Sequence, residues 1–85
     1  MIFKFAEIRC IFEILRILNN DKSKYTEMFR KTKVSHITLQ SVLRELTEKG
    51  FILKHNLGHQ KVDYEMTNKG RKLLNILSQL NYLVK

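Results

Sequence analysis

The side chains with the most evident chemistry lie between positions 34 and 50, in a segment with a helical pattern. One face of this segment carries short polar groups and an arginine, namely His36, Thr38, Gln40, Ser41 and Arg44. Side chains of these types form hydrogen bonds with the edges of nucleotide bases and with phosphates. We therefore expect this face to contact a nucleic acid.

Three features position that face. Ser35 supplies a side-chain acceptor where a helix would begin. Gly50 suits a left-handed turn where the helix would end. Between them Leu39, Leu43 and Leu46 recur at helical spacing and share the opposite face, which we expect to be buried. The pattern predicts a helix over residues 35–49.

Positive charge is concentrated around this helix. The 85 residues carry a net charge of +8. Residues 22–44 hold six basic side chains and only one acidic side chain, so they carry +5, whereas the other 62 residues carry +3. Clustered positive charge attracts polyanions. The alternative is a basic surface that contacts only solvent.

The rest of the sequence predicts an α+β domain, mostly α, that spans residues 1–85 without a linker. Apolar stripes indicate a first helix over 6–18, and Ser23 could cap a second helix over 24–31. Strand-forming residues over 51–56 and 61–66 flank a turn at 57–60, which predicts a β-hairpin with His59, Gln60 and Lys61 at its tip. Thr67 could then cap a last helix that begins at residue 68.

The last helix, residues 68–84, carries an apolar stripe with the spacing of a short heptad seam. The stripe consists of Leu73, Leu77, Leu80 and Val84. Leu74, Ile76 and Leu83 widen this stripe beyond what one small core requires, so we expect part of it to form the interface of a homodimer. Packing against the first helix of the same chain would use the same stripe, and this alternative stays open.

The sequence gives no sign of an enzyme. Cys10 is the sole cysteine, which excludes an intramolecular disulfide and a cysteine-metal cluster, and we expect it to be buried. His55 and His59 are four apart in a predicted hairpin, where that spacing sets no helical metal face. No glycine-rich phosphate loop or nucleophile elbow occurs. We therefore expect no metal, no cofactor and no small-molecule ligand.

The sequence also gives no sign of a membrane protein. Its longest apolar run, from Ile8 to Leu18, is interrupted by charged residues, and a membrane span needs about 20 apolar residues. Charges follow the first residues at once, which is not the layout of a signal peptide. We expect a cytoplasmic protein with no membrane partner.

Two motifs resemble those of winged helix-turn-helix proteins. Residues 43–52 look like the LxxLxxKGxI exit from a recognition helix into the wing, and residues 64–74 are similar to the YxLTxKGxxLL passage from the wing into the last helix. Residues 26–35 resemble a TxIMYxAxLS segment of small archaeal winged-helix proteins, with Thr32 and Val34 in place of the usual alanine and leucine. The resemblance extends over about residues 8–80. Transcriptional regulators of archaea, their viruses or plasmids fit it equally well.

This resemblance implies a homodimer on double-stranded DNA. The helix over 35–49 would lie in the major groove, with residues 35–41 toward the bases, and the wing over 51–66 would lie at the flanking groove or backbone. The residues expected to contact DNA are Ser35, His36, Thr38, Gln40, Ser41, Arg44, Lys31, Lys33, His59, Gln60 and Lys61.

Gln40 could bind adenine in bidentate fashion, Thr38 could bind a base or a thymine methyl, and Arg44 could bind guanine or a phosphate. Lys31 and Lys33 would contact phosphates. We expect a sequence-specific, nucleoid-associated transcriptional regulator. A non-specific architectural DNA-binding protein and a winged-helix protein-docking module are the alternatives.

Overall fold

The computed structural model describes residues 5–19, 22–58 and 62–84, which form helices and an antiparallel sheet. In chain order the elements are α1 (Phe5–Leu18), β1 (Ser23–Lys24), α2 (Tyr25–Thr32), α3 (His36–Glu48), β2 (Ile52–Asn56), β3 (Val62–Met66) and α4 (Asn68–Val84). The predicted fold class, α+β with mostly helical content, is confirmed. In the described part of the chain, no helix is both long and apolar enough to cross a membrane.

The ends of α3 are formed as the sequence predicts. The Ser35 Oγ accepts the backbone N–H of Thr38 at 3.1 Å, which satisfies a donor that the first helical turn leaves unpaired. At the other end Gly50 has φ +81°. The N–H of Phe51 donates to the Leu46 carbonyl at 2.9 Å, and the N–H of Gly50 donates to the Thr47 carbonyl at 3.1 Å. These two bonds form a Schellman motif, which ends the helix and turns the chain into β2.

The buried face of α3 lies in the centre of the core. Leu39 and Leu46 are completely buried and Leu43 nearly so, as predicted. α1 packs against α2, α3 and α4, which accounts for apolar residues on more than one side of this helix. Cys10 on α1 is buried, and burial raises the pKa of its thiol to about 11.

The sheet has one strand more than the sequence predicted. Its order is β1-β3-β2, with both pairings antiparallel. The β2–β3 hairpin is the predicted wing. Ser23 of β1 pairs with Tyr64 of β3 and is buried.

The prediction that Ser23 caps the second helix is therefore wrong. Lys24 is the N-cap residue of α2 and provides no side-chain cap. The Ser23 backbone is held in the sheet, and its hydroxyl donates to the Glu27 Oε2 at 3.2 Å. Pairing with β3 holds Ser23 in a strand conformation. No local pattern in the sequence indicated this strand.

The start of α4 is attached to the end of α3. The Thr67 Oγ1 accepts the N–H of Gly70 at 3.0 Å, so Thr67 caps the helix as predicted. The same hydroxyl lies 2.7 Å from the Gly50 carbonyl and 2.9 Å from the Phe51 carbonyl, to one of which it can donate. Gly70 passes so close to Phe51 that a Cβ at this position would lie 2.1 Å from the Phe51 carbonyl oxygen.

The predicted apolar seam of α4 divides between the core and the surface. Leu77 is buried, and Leu73 is partly buried against the core of the same chain. Leu80 keeps 52% of its surface exposed, and Ile76 keeps 55%. The side chain of Val84 lies outside the described part of the structure. Among the described side chains of α4, the large apolar ones that stay exposed are therefore Ile76 and Leu80.

Candidate nucleic-acid interface

α2, a three-residue turn and α3 form the helix-turn-helix unit. The turn begins at Lys33, which has φ 58° and donates its N–H to the Phe29 carbonyl at 3.3 Å. This left-handed residue ends α2, and Ser35 then starts α3. The order of the two helices agrees with the prediction, and the ends of α2 and α3 lie within one residue of the predicted ranges 24–31 and 35–49.

A polar stripe on α3 faces solvent. Gln40 and Arg44 are exposed, whereas Ser41 is half-buried. Residues three and four apart on a helix lie on the same side, so these three side chains form one continuous surface. Amide, hydroxyl and guanidinium groups in such an arrangement can bind the edges of several neighbouring bases.

The first turn of α3 is occupied by its own cap. The Ser35 hydroxyl donates to the Thr38 Oγ1 at 3.0 Å while it accepts the Thr38 N–H. Thr38 is partly buried. Both predicted contact residues are thus engaged with each other, so their first role is to hold the start of the helix.

His36 lies in an aromatic stack that joins α2 to α3. The centroid of its ring lies 3.7 Å from the centroid of the Phe29 ring, with an interplanar angle of 10°, and 5.7 Å from the centroid of the Tyr25 ring. A hydrogen bond of 2.9 Å joins the Tyr25 hydroxyl and the His36 Nδ1. The prediction assigned His36 to base contact. In the structure its ring contacts Phe29 and Tyr25 of the same chain. Tyr25 and Phe29 support the site in a way that the sequence did not indicate.

A groove separates α3 from the wing and the start of α2. Its cavity volume is about 780 Å³. Gln40 and Arg44 line one side, and Lys24 and Lys54 bring two further positive charges to it. None of these three basic side chains has a carboxylate partner among the described residues. The sequence did not indicate Lys24 and Lys54 as contact residues, because they reach the groove only through the pairing of β1 and β2 with β3.

The floor of the groove carries a neutral phenol. Tyr64 of β3 is buried and lines the groove, directly opposite Lys54 on β2. Burial, and to a smaller extent the nearby Tyr25, raises the pKa of the Tyr64 hydroxyl above its usual range. Tyr64 therefore adds no negative charge near neutral pH. Glu48 is the acidic residue of the groove lining.

The basic residues next to the turn point to the surface. Lys31 and Lys33 are exposed. The Lys31 Nζ lies 3.9 Å from a Glu27 carboxylate oxygen, which is a weak exposed pair. Arg30 lies at the same distance from Glu27. One carboxylate thus faces two basic groups, and the surface stays positive.

The tip of the wing, with His59, Gln60 and Lys61, lies outside the described residues. Within the described hairpin, the His55 Nε2 is 2.9 Å from the Glu65 Oε1. No cluster of three or more His, Cys, Asp or Glu side chains suited to a metal ion occurs in the part of the chain that the structure describes.

Solved structures with the same fold come from several organisms. The smu.1704 protein of Streptococcus mutans UA159 is 21% identical, with a TM-score of 0.86 over 99% of this chain and 86% of that one. A PadR family transcription regulator of Clostridium difficile R20291 is 19% identical, with a TM-score of 0.81 over 88% of each chain. Sso10a-2, a DNA-binding protein of Sulfolobus solfataricus, is 21% identical, with a TM-score of 0.80 over 89% of this chain and 78% of that one. These likenesses show a shared fold.

No curated protein matches the chain. The sequence pattern of the winged helix-turn-helix family matches residues 4–85, which is nearly the whole chain. The helix-turn-helix unit and the hairpin after α3 supply the two parts that give this family its name. The chain therefore belongs to the winged helix-turn-helix family.

Proposed function

We propose that this protein binds double-stranded DNA as a homodimeric, sequence-specific transcriptional regulator. In this proposal α3 enters the major groove, and the wing lies along the flanking groove or backbone. Similar proteins support it: the Clostridium difficile structure is a transcription regulator and Sso10a-2 is a DNA-binding protein.

The groove between α3 and the wing carries the proposal. Lys24, Arg44 and Lys54 converge there without carboxylate partners among the described residues, next to the polar stripe of α3. Phosphate contacts fix the register of a protein on DNA, and base contacts then read the sequence. In this proposal the groove follows one strand of the backbone while Gln40 and Arg44 reach the bases.

The remaining residues take supporting roles. Lys31 and Lys33 contact phosphates beside the turn, and Ser41 adds a hydroxyl to the base-facing stripe. Ser35, Thr38 and His36 mainly hold the first turn of α3, where the positive end of the helix dipole favours a phosphate. His59, Gln60 and Lys61 extend the contact at the wing tip. The dimer forms through α4, where Ile76 and Leu80 are exposed.

The salt dependence of DNA binding tests the electrostatic part of this proposal. If a dimer neutralises about eight phosphates at about 0.9 each, a plot of log K against log salt concentration has a slope of roughly −7. Fluorescence anisotropy with a labelled random-sequence duplex measures this slope. Replacement of Lys24 and Lys54 by alanine should make it shallower by about 2 for each subunit. Lys72→Ala, which removes an exposed charge from α4 outside the groove, should leave it nearly unchanged.

The same experiment separates this proposal from a docking module. A docking module has no need of DNA affinity, so the absence of binding at micromolar protein and moderate salt would contradict our proposal. A slope near zero would remove its electrostatic basis. If Lys72→Ala changed the salt slope as much as the replacement of Lys24 and Lys54, the groove would not be the site that contacts the DNA backbone.

A further inference from the structure

Ile37, in the candidate interface, is the most exposed of the large apolar side chains in the described chain. It keeps 81% of its surface exposed. Single exposed apolar side chains are common on protein surfaces, so the position of Ile37 decides what its exposure means. That position is the first turn of α3.

Ile37 is in line with the polar stripe of α3. Gln40, Ser41 and Arg44 follow it at three, four and seven residues, which places all four on one side of the helix. Helical side chains also lean toward the N-terminus, so Ile37 projects at the leading end of this stripe.

The polar neighbours of Ile37 in the first turn have partners on the same chain, although Ser35 and His36 are exposed. The hydroxyls of Ser35 and Thr38 bond to each other, and the His36 ring stacks on Phe29. Ile37 is therefore the exposed side chain of this turn for which the described structure gives no such bond or stack. Lys31 and Lys33 shortly precede α3, Arg44 lies two turns along it, and all three are exposed, so this part of the surface suits a polyanion.

We infer that Ile37 contacts the C5-methyl group of a thymine in the major groove and thereby determines part of the sequence preference. This inference rests on the proposed DNA binding and deepens it. Thymine is the base that presents a methyl group in the major groove, where apolar side chains recognise it. The inference moves this contact from Thr38, where the sequence suggested it, to Ile37.

Replacement of thymine by deoxyuridine tests the inference, because it removes that methyl group and keeps the hydrogen-bonding groups of the base. The probe is the tightest-binding duplex selected from a randomised library. In separate copies of this duplex, each thymine is replaced in turn by deoxyuridine. Wild-type protein should bind about fourfold more weakly when one particular thymine of a half-site is replaced, because burial of one methyl group contributes about this much to affinity. Ile37→Ala should bind the two forms of that duplex equally.

Two control variants accompany the measurement. Leu53→Ala removes another exposed apolar side chain, from the side of the sheet opposite to Lys54, and should discriminate as wild type does. Ile37→Val keeps a shorter apolar side chain and should retain part of the discrimination. Thermal unfolding of Ile37→Ala should match wild type, because the side chain is 81% exposed.

The outcomes distinguish the inference from the proposed function. Tight binding of the selected duplex without discrimination at any thymine would overturn the inference and leave DNA binding intact. Equal discrimination by wild type and Ile37→Ala would assign the methyl contact to another residue and would also overturn it. Selection that enriches no sequence, or no binding of any duplex, would overturn both the sequence-specific function and the inference.

Discussion

Among single residues, Gln40 and Arg44 carry the proposed reading of bases. Both are exposed on one side of α3 and both line the groove beside the wing. The buried leucines of the opposite face fix the orientation of the helix, so the two polar side chains need no rearrangement to face a ligand. Their amide and guanidinium groups have the geometry to bind adenine and guanine in bidentate fashion.

We predict that Gln40→Ala and Arg44→Ala each weaken binding to a selected duplex by about 1–3 kcal/mol and relax its sequence preference. The affinity for the selected and a scrambled duplex should be measured for each variant, with Lys72→Ala as the control. An equal loss on both duplexes would instead make these residues backbone contacts.

Cys10 gives a prediction about stability and pH. Burial raises the pKa of its thiol from 9.0 to about 11, with smaller contributions from Glu7 and Glu13. Between these two values the native state keeps a proton that the unfolded state loses. Hence the stability that the neutral thiol contributes is present below pH 9 and is lost as the pH rises toward 11.

The free energies of unfolding of wild type and Cys10→Ala should therefore differ less at pH 11 than at pH 8. Urea unfolding followed by circular dichroism measures both. Because other groups titrate in both proteins, the difference isolates Cys10. A difference that stays constant over this range would show that the thiol does not titrate as its burial requires.

At the scale of elements, the sequence predicted those with local signals. α3 has a capping serine, a leucine period and a terminal glycine, and it lies where these signals place it. β1 was missed because two residues carry no periodicity, and their pairing with β3 depends on distant chain segments. The groove cations Lys24 and Lys54 were missed for the same reason, since only the folded sheet brings them beside Arg44.

The close contact between Gly70 of α4 and Phe51, just after α3, can be tested by mutation. Gly70→Ala should destabilise the protein by about 1–3 kcal/mol or more, because the new Cβ would lie 2.1 Å from the Phe51 carbonyl oxygen. In an open helix the same change would stabilise by about 1 kcal/mol, so the sign of the effect reports the contact.

Urea unfolding measures this change as well. Asn75→Ala, at an exposed position of α4, is the matched control and should stay within about 0.5 kcal/mol of wild type. A stabilising effect of Gly70→Ala would mean that α4 does not approach the Phe51 carbonyl as closely as the structure places it.

In the molecule as a whole, two parts of the surface are distinct from the rest, a basic side and an apolar strip. The basic side comprises the groove and the residues beside the helix-turn-helix turn. The apolar strip consists of Ile76 and Leu80 on α4. A twofold dimer through this strip would present two copies of α3, and such symmetry matches an inverted repeat in DNA.

We predict that Ile76→Glu combined with Leu80→Glu converts a dimer into a folded monomer, because both side chains are about half exposed and the core does not need them. Leu77 is unsuitable for this test, since it is buried and its replacement by glutamate would disturb the core. Light scattering measures the mass, and circular dichroism verifies the fold.

Asn75→Glu combined with Ser78→Glu is the control for this experiment. It adds the same charge to α4 at exposed positions on another side of the helix, and it should leave the dimer intact. A wild-type monomer, or a dimer that survives the Ile76 and Leu80 changes, would contradict an interface through this strip.

Selection of duplexes from a randomised library, followed by sequencing, is the sharpest test of sequence-specific DNA binding by α3. We expect one inverted repeat to be enriched, with adenine at the position that Gln40 reaches, thymine at that of Ile37 and guanine at that of Arg44. This repeat should bind about 10³-fold or more tightly than a scrambled duplex. Retention of duplexes without any enriched sequence, or no retention at all, would contradict sequence-specific DNA binding by α3.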